Sequence, residues 1–231
     1  MKSRSPHSMQ GHIRCDSLLE WRLTSEGENT MSRRILLLFA HPAIHRSSAN
    51  RALLARIEGL SGITMVDLYG EYPTLDIDIE REQQRLLEHD VLVFMFPMFW
   101  YSTPSILKEW QDLVLEHGFA YGHEGTALHG KLFLCALTAG GLHEAYTRSG
   151  HNRFSPRELL VPLEQTAELC GMRYLPPFVL FDARTAADDE RIDRHGKDWC
   201  RLLAALRDDT LNLDDIEGLE RINENLDALL E

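Results

Sequence analysis

The chain of 231 residues lacks the features that mark membrane-spanning and nucleic-acid-binding proteins. No apolar run reaches the roughly 18 residues that a membrane-spanning helix needs, and the longest run, at 91–100, is far shorter. Basic residues are scarce: 24 Lys and Arg stand against 36 Asp and Glu, which gives a net charge of −12. Because nucleic-acid phosphates need a basic protein face, this composition excludes a nucleic-acid partner.

The sequence also has no Cys-x-x-Cys pair among its four cysteines, Cys15, Cys135, Cys170 and Cys200. Cys135 falls in a predicted apolar strand and Cys200 in a predicted helix. These positions predict reduced, buried thiols and a cytoplasmic protein without structural disulfides. Residues 1–30 contain no apolar segment of the kind that a secretory signal needs, which agrees with that location.

Length and charge divide the chain into three parts. A hydrophobic content of 44% predicts one domain with a substantial core, which we assign to 33–208. Residues 1–32 are predicted to form a disordered N-terminal extension. Residues 209–231 are strongly acidic, and their apolar residues recur at helical spacing, which predicts an amphipathic C-terminal helix. This helix either packs on its own domain or on a dimer mate, or it docks onto a partner.

The central part alternates between strand and helix patterns. The predicted strands are 35–40, 63–68, 91–96, 132–138 and 173–181, and the predicted helices are 48–60, 78–89, 104–116, 156–170 and 186–206. Five strands alternating with helices predict an α/β fold, a five-stranded parallel sheet with helices on both faces. In a flavodoxin-like strand order, 2-1-3-4-5, a ligand binds beyond the carboxyl ends of strands 1, 3 and 4.

The loop after strand 1 carries hydroxyl and amide side chains at the start of a predicted helix. Ser47, Ser48, Ala49 and Asn50 occupy that start, where free N–H groups favour an anion. Neither G-x-x-x-x-G-K-[ST] nor G-x-G-x-x-G is present at this loop, so the site is predicted to bind a monophosphate rather than ATP or a dinucleotide. His41 adds positive charge in this interpretation, and the alternative is ordinary capping by Ser48.

The loop after strand 3 is aromatic. Pro97 ends a solid apolar run, and Met98, Phe99, Trp100 and Tyr101 follow it. Thr103 and Pro104 then open a helix, with Pro104 at its first position. A rigid strand and a rigid helix therefore hold flat apolar groups that suit a flat aromatic ligand; the alternative is a corner of the hydrophobic core.

The loop after strand 4 reads Thr138, Ala139, Gly140, Gly141 and Leu142. Adjacent glycines let the backbone approach a ligand closely and offer N–H groups to its polar edge, although a plain turn has the same pattern. Together the three loops describe a ligand with a phosphate and a flat ring with polar edge atoms, and flavin mononucleotide (FMN) fits that description.

Two further segments contain candidate substrate and catalytic residues. Tyr121 and His123 lie in a Gly- and His-rich connection at 116–131 and are candidates to cap a substrate pocket. Tyr146 and His151 are a candidate donor pair that would stabilise charge on a reduced flavin or a quinone. For each pair the alternative is a purely structural role in its loop. No histidine spacing here is that of a metal site, so no metal is predicted.

The segments AHPAIHRSSAN, FPMFWYSTPSILKEWQD, HGFAYGHEGTALHGK and TAGG, in this order, resemble the flavodoxin-like NAD(P)H:quinone oxidoreductases. The most similar branch is the ancillary protein of the bacterial glutathione-regulated potassium-efflux system. The resemblance covers about 34–207. It implies a homodimer that binds FMN rather than FAD, with His41 and 47–50 at the phosphate and ribityl chain, 98–101 beside the ring and 138–142 at its polar edge.

The resemblance implies the first two of three possible functions, and the third is a rival interpretation. The first is a two-electron, ping-pong hydride transfer from NAD(P)H through the flavin to a quinone. The second, which can coexist with the first, is a regulatory subunit that activates a potassium/proton antiporter from the cytoplasmic face of the inner membrane. The third is a simple electron carrier, against which the long 116–131 segment argues because a carrier needs no substrate lid.

Overall fold

A parallel β-sheet forms the centre of the computed structural model, which describes residues 32–216 and 218–230. Its strands are β1 (Ile35–Phe39), β2 (Ile63–Asp67), β3 (Val91–Pro97), β4 (Leu132–Thr138), β5 (Arg173–Tyr174) and β6 (Phe178–Leu180). They follow the order β2-β1-β3-β4-β5, and β6 also pairs with β4. The predicted flavodoxin-like strand order is therefore confirmed. The predicted extension at 1–32 lies, apart from Ser32, outside the described residues.

The fifth predicted strand is interrupted in the middle. Both β5 and β6 pair in parallel with β4, Arg173 opposite Leu132 and Phe178 opposite Ala136. Between them lie Pro176 and Pro177, which have no N–H group to donate to a neighbouring strand. The single strand at 173–181 thus becomes two short strands along the same partner.

Helices cover both faces of the sheet. They are α1 (Ser48–Ile57), α2 (Leu68–Glu71), α3 (Ile79–Leu87), α4 (Ser105–Val114), α5 (Pro156–Leu159), α6 (Val161–Leu169), α7 (Arg191–Arg207) and α8 (Leu226–Leu229). The predicted helix at 156–170 is divided at Leu160, because Pro162 cannot donate to the preceding turn. The predicted helix at 186–206 begins only at Arg191, after Glu190 in the left-handed conformation with φ 63°.

Alternate side chains of β1 belong to two separate cores. Leu36 and Leu38 pack on one face with α3, α4 and α6, in a core that contains Trp110. Ile35, Leu37 and Phe39 pack on the other face with α1 and α7, in a core that contains Trp199. This is the period of two expected of a strand buried on both faces, and it explains why β1 reads as an unbroken apolar run.

The acidic segment after Asp208 does not form the single amphipathic helix that its apolar spacing predicts. It forms two 3₁₀ turns, Asp214–Ile216 and Ile222–Glu224, before the one-turn helix α8. Gly218 lies between the turns with φ 83°, a conformation that a continuing α-helix cannot contain. The apolar spacing was a correct indicator of burial and a wrong indicator of helix.

The same segment packs against its own domain. Ile216, Ile222, Leu226 and Leu229 are buried in the core beside α7. The amide of Ile222 donates to Pro177 O at 3.1 Å, and the amide of Val179 in β6 donates to the Asn223 side chain at 2.7 Å. The segment therefore covers an edge of β6 that would otherwise be exposed. This agrees with the first alternative, in which the segment packs on its own domain.

Two other expectations concern cysteine and membrane segments. Cys135 and Cys170 are buried and free, as predicted for Cys135. Cys200 is disulfide-bonded, so the prediction of a reduced thiol there is wrong. None of the helices within 32–216 and 218–230 combines the length and the apolar character of a membrane-spanning segment.

Candidate functional site

The loops after β1, β3 and β4 meet at one edge of the sheet, because these three parallel strands are neighbours and end on the same side. Two hydrogen bonds join the loops directly. Met98 N donates to Thr138 O at 2.8 Å, and Asn50 Nδ2 donates to Thr138 Oγ1 at 3.1 Å. The structure thus brings together the three loops that the sequence singled out.

The loop after β1 presents backbone donors at the start of α1. Ser47, rather than Ser48, caps the helix: its Oγ accepts from Asn50 N at 3.3 Å and from Asn50 Nδ2 at 2.9 Å. Within the described part of the chain, the amides of Ser48 and Ala49 have no acceptor. Ser48 is exposed, while Ala49 and Asn50 are buried. The start of α1 can therefore offer two free N–H groups to an anion.

The imidazole ring of His41 is neutral, and its Nε2–H group is the hydrogen-bond donor. Its Nδ1 accepts a hydrogen bond from Ala43 N at 3.0 Å, which leaves the proton on Nε2. Burial of the ring lowers the pKa of His41 below its usual value, an effect that the attraction of Asp67 only partly opposes. The positive charge expected of His41 is therefore absent at neutral pH, and the side chain can serve an anion only as a hydrogen-bond donor.

The loop after β3 is a tight two-residue turn. Phe99 and Ser102 exchange backbone hydrogen bonds of 3.2 and 3.1 Å, and Trp100 and Tyr101 between them have φ of 49° and 65°. Two successive non-glycine residues in the left-handed region are costly, so the turn stores strain to present its side chains. The side chain of Trp100 is 94% exposed. We call Phe99–Ser102 the aromatic turn.

The alternative of a core corner is wrong for the tip of this turn and correct for its base. Pro97 ends the fully buried strand β3, and Met98 is 7% exposed and packs in the core. Phe99 and Tyr101 are about half-exposed. Pro104 lies just before α4 as its N-cap rather than at its first helical position.

The Gly-Gly loop after β4 offers a second pair of donors. Ala139 is buried and Leu142 is 59% exposed. The amides of Gly140 and Gly141 find no acceptor among residues 32–216 and 218–230, whereas Gly141 O accepts from Asp182 N at 2.9 Å. Neither glycine needs a positive φ. A Cβ at Gly141 would lie 3.2 Å from Tyr146 Cε2, so glycine there makes room for that ring.

Tyr146 and His151 differ in their surroundings. Tyr146 is 7% exposed, with its ring 5.6 Å from that of Phe181, and burial raises the pKa of its hydroxyl. His151 is exposed, and no hydrogen bond joins these two described side chains. The segment that carries His151 nevertheless lies against the aromatic turn, because Tyr101 Oη donates to Asn152 Oδ1 at 3.2 Å. No pattern in the sequence singles out Asn152.

Tyr121 and His123 are less clearly placed. The Tyr121 ring lies 5.4 Å from that of His117 and is half-buried, and His123 is exposed. No hydrogen bond or ring contact joins either of these described residues to the three loops. The part of the chain that the structure describes contains no group of three or more His, Cys, Asp or Glu that could hold a metal ion.

Comparison with known proteins gives one family and several close relatives. The model of the family described as "Flavodoxin-like fold" matches residues 33–203. The glutathione-regulated potassium-efflux system ancillary protein KefG of Cronobacter sakazakii is 42% identical over 175 residues, which cover 76% of this chain and 95% of the relative.

Two solved structures are similar in both sequence and fold. General stress protein 14 from Treponema denticola, in complex with FMN, is 34% identical with a TM-score of 0.70, covering 75% of this chain and 99% of its own. An NADPH-quinone reductase from P. pentosaceus is 30% identical with a TM-score of 0.67, covering 73% of this chain and 96% of its own.

Proposed function

The chain belongs to the flavodoxin-like fold family, and we propose that it is an FMN-dependent NAD(P)H:quinone oxidoreductase. The observation that carries this function is the meeting of three kinds of group at one sheet edge. Free amides at the start of α1, an exposed aromatic turn and free Gly-Gly amides fit a phosphate, a flat ring and the polar edge of that ring. When bound, FMN supplies the redox centre that accepts a hydride from NAD(P)H and passes two electrons to a quinone.

The start of α1 holds the phosphate and ribityl chain in this proposal. The free N–H groups of Ser48 and Ala49 point outward from the N-terminus of α1, where the helix dipole also favours negative charge. The Ser47 hydroxyl and the neutral Nε2–H of His41 add donors. Asn50 keeps both of its amide hydrogens on Ser47 and Thr138, so it fixes the loops rather than the ligand.

The other two loops hold the ring. Phe99, Trp100 and Tyr101 provide flat apolar surface that water now contacts. The amides of Gly140 and Gly141 are fixed by the strand that precedes them and stabilise negative charge at the polar edge of the ring. Because NAD(P)H and the quinone would reach the same open face in turn, the kinetics are expected to be ping-pong.

Tyr146 and His151 are proposed as the donors next to the reacting groups. Tyr146 supports this role best, because it is buried beside the Gly-Gly loop and its hydroxyl, like that of any tyrosine at neutral pH, is protonated and can donate. The Tyr146 ring packs against Gly141, in the Gly-Gly loop after β4. Tyr121 and His123 are proposed to close the substrate pocket from the 116–131 connection.

Homodimer formation is proposed from the exposed apolar side chains around the site. Trp100 and Leu142 are more than half-exposed, and Phe154 is 48% exposed. A second copy of this chain could cover all three side chains. Sedimentation of the FMN-loaded protein tests this. A monomer with full turnover would contradict it.

A potassium-efflux partner is the second candidate function, supported by the similarity to KefG. The protein would then act in the cytoplasm, at the inner face of the membrane that holds the efflux system. The segment at 209–230 is an unsuitable docking helix, because its apolar residues are already buried in its own domain. Copurification with membranes, compared between cells with and without the antiporter, tests this partner.

The visible absorbance of flavin in the purified protein tests the proposed enzyme activity. We expect a bound flavin, bleaching of its visible absorbance by NADH or NADPH without oxygen, and recovery when a quinone is added. A protein that carries no flavin and gains none on incubation with FMN would overturn the proposed function. A protein that binds FMN but transfers no electrons to any quinone would leave the regulatory candidate and the simple electron carrier.

A further inference from the structure

A small cavity lies directly behind the start of α1, on the side of the sheet that α7 covers. Its lining combines apolar core residues with four polar side chains: Asn50, Thr138, His195 and Trp199. Asn50 and Thr138 come from the loops of the candidate site, whereas His195 and Trp199 come from α7. The cavity therefore connects the site to a helix that is not part of it.

Two of these lining residues each carry a polar atom without a partner in the part of the chain that the structure describes. The atoms are Asn50 Oδ1 and Trp199 Nε1; both are buried, and the two residues are only 2% and 1% exposed. One is an acceptor and the other a donor. Leaving such an atom unpaired in a protein interior is costly, so two on the residues of one cavity require a physical explanation.

The indole and the imidazole are held rigidly in place. The Phe178 ring stacks on the His195 ring at 4.2 Å and on the Trp199 ring at 5.4 Å. No hydrogen bond to any other described residue engages the His195 ring. Neither aromatic side chain can turn away to find another partner without breaking this stack.

The chemistry and the size of the cavity fit one ligand. The cavity has room for about one water molecule, and a buried water needs two to four polar partners. A water can donate to Asn50 Oδ1 and accept from Trp199 Nε1 at the same time. The neutral His195 ring, with its pKa lowered to about 3 by burial, is available as a third partner.

We propose that a single ordered water bridges Asn50 and Trp199, next to His195, and that this water fixes the loops that hold FMN. The inference rests on the proposed function. Asn50 uses both amide hydrogens on Ser47 and Thr138, which belong to two different loops. Its Oδ1 is the remaining group, and the water keeps the amide in the one orientation that serves both loops. Trp199 and His195 are thus positioning residues that act through Asn50.

The first test is a crystal structure of the wild-type protein at a resolution that resolves buried waters, with and without FMN. We expect one water within hydrogen-bond distance of Asn50 Oδ1 and Trp199 Nε1 in both. A dry cavity, or a cavity closed by a rotated Asn50, overturns the inference. Because the flavin-free crystal answers this question alone, failure to bind FMN would overturn the proposed function without deciding the water.

The second test is Trp199→Phe, which keeps an aromatic ring in the stack and removes the N–H donor. The dissociation constant of FMN should rise roughly three- to tenfold, as for loss of one hydrogen bond that orients a binding group. The matched control is Trp110→Phe, which removes an indole N–H that donates to Glu82 at 2.9 Å in the other core. That change should lower thermal stability and leave FMN affinity unchanged.

The two variants separate positioning from general packing. Weaker FMN binding in Trp199→Phe alone, with the water lost from its crystal structure, supports the inference. Equal FMN affinity in Trp199→Phe and the wild type, or equal losses in Trp199→Phe and Trp110→Phe, overturns it. If Trp199→Phe does not fold, the crystal structures of the wild-type protein decide the inference without it, because a dry cavity there overturns the inference.

Discussion

The two halves of the candidate site are built in opposite ways. One half, which we call the polar cradle, consists of 47–50 and 138–141; it is largely buried and cross-linked. Asn50 joins its two loops across 88 residues of sequence through Thr138. The other half, the outer wall, consists of the aromatic turn, Tyr146 and His151. Trp100 at its tip is 94% exposed, and Tyr101 is fixed by one exposed hydrogen bond to Asn152.

This difference assigns different tasks to the two halves. Backbone amides at the ends of a strand and a helix cannot move far, so the polar cradle can hold a cofactor through many turnovers. The aromatic turn of the outer wall is exposed and has a strained backbone, which suits a surface where two substrates enter and leave in turn. Changes in the polar cradle should therefore have the largest effects on cofactor affinity, and changes in the outer wall should alter turnover or lower cofactor affinity only slightly.

Asn50→Ala should have the largest effect. The change removes the hydrogen bonds to Ser47 and Thr138 and frees the loops that carry the phosphate donors. We expect the dissociation constant of FMN to rise roughly 100-fold, equivalent to about 2–3 kcal/mol, by flavin fluorescence titration. Turnover at saturating FMN should change far less than FMN affinity.

Asn223→Ala is the control for this change. It removes an asparagine oxygen that accepts from Val179 N at 2.7 Å at the edge of β6. Protein stability should fall and FMN affinity should stay as in the wild type. If both variants lose FMN equally, cofactor affinity depends on the stability of the whole domain and not on the polar cradle.

The strand order and the position of the site followed from the sequence because both depend on coarse patterns. Apolar runs at β1, β3 and β4 required a sheet buried on both faces, and parallel strands required the intervening loops to meet at one edge. Such patterns tolerate an error of one residue. The helix cap at Ser47 instead of Ser48 is an error of that size, and it left the location of the site unchanged.

The finer features depended on contacts that no local pattern contains. Trp199 and His195 follow Asn50 by about 150 residues and read as one face of an ordinary amphipathic helix. His41 became neutral because of its burial, which its polar neighbours in the sequence did not indicate. The tail at 209–230 kept its apolar spacing but lost its helix to the edge of β6, where tertiary hydrogen bonds replaced helical ones.

His195 provides the second prediction, which tests whether the cavity behind the start of α1 is closed to bulk water. Its pKa is lowered to about 3 in the folded protein, against about 6.5 when unfolded, because burial disfavours the charged ring. The unfolded chain therefore binds an extra proton below pH 6.5. This part of the stability is complete above pH 6.5 and is lost as the pH falls toward 3, with a loss of about 2 kcal/mol by pH 5.

Urea unfolding between pH 7 and pH 5 measures this effect. The wild type should lose stability across that range, and His195→Gln should lose about 1.4 kcal/mol less for each pH unit well below 6.5. Identical slopes for the two proteins would mean that His195 is solvated or charged in the folded state. The cavity behind the start of α1 would then be open to bulk water rather than closed around a single water molecule.

Tyr146→Phe is the third prediction and moves the comparison to the outer wall. The change keeps the ring against Phe181 and removes only a hydroxyl, which is protonated at neutral pH. We expect kcat for quinone reduction to fall roughly tenfold, as for loss of one donor near developing charge, with FMN affinity unchanged. His151→Gln, measured in the same way, tests the second donor. Unchanged kcat in both variants would leave Tyr146 and His151 as loop structure.

Trp100→Ala should have the smallest effect, and it separates ring contact from backbone strain. Because the side chain is 94% exposed, its loss should change the free energy of unfolding by less than about 0.5 kcal/mol. FMN affinity should fall by roughly fivefold if the indole covers the ring, since stacking on an exposed aromatic side chain contributes about 1 kcal/mol. Trp100→Gly removes the same indole and also relieves the left-handed backbone at φ 49°. The two variants should therefore lose FMN affinity equally, while Trp100→Gly is the more stable. If the glycine variant loses much more affinity than the alanine variant, the strained backbone of the aromatic turn, and not the indole, is what the cofactor requires.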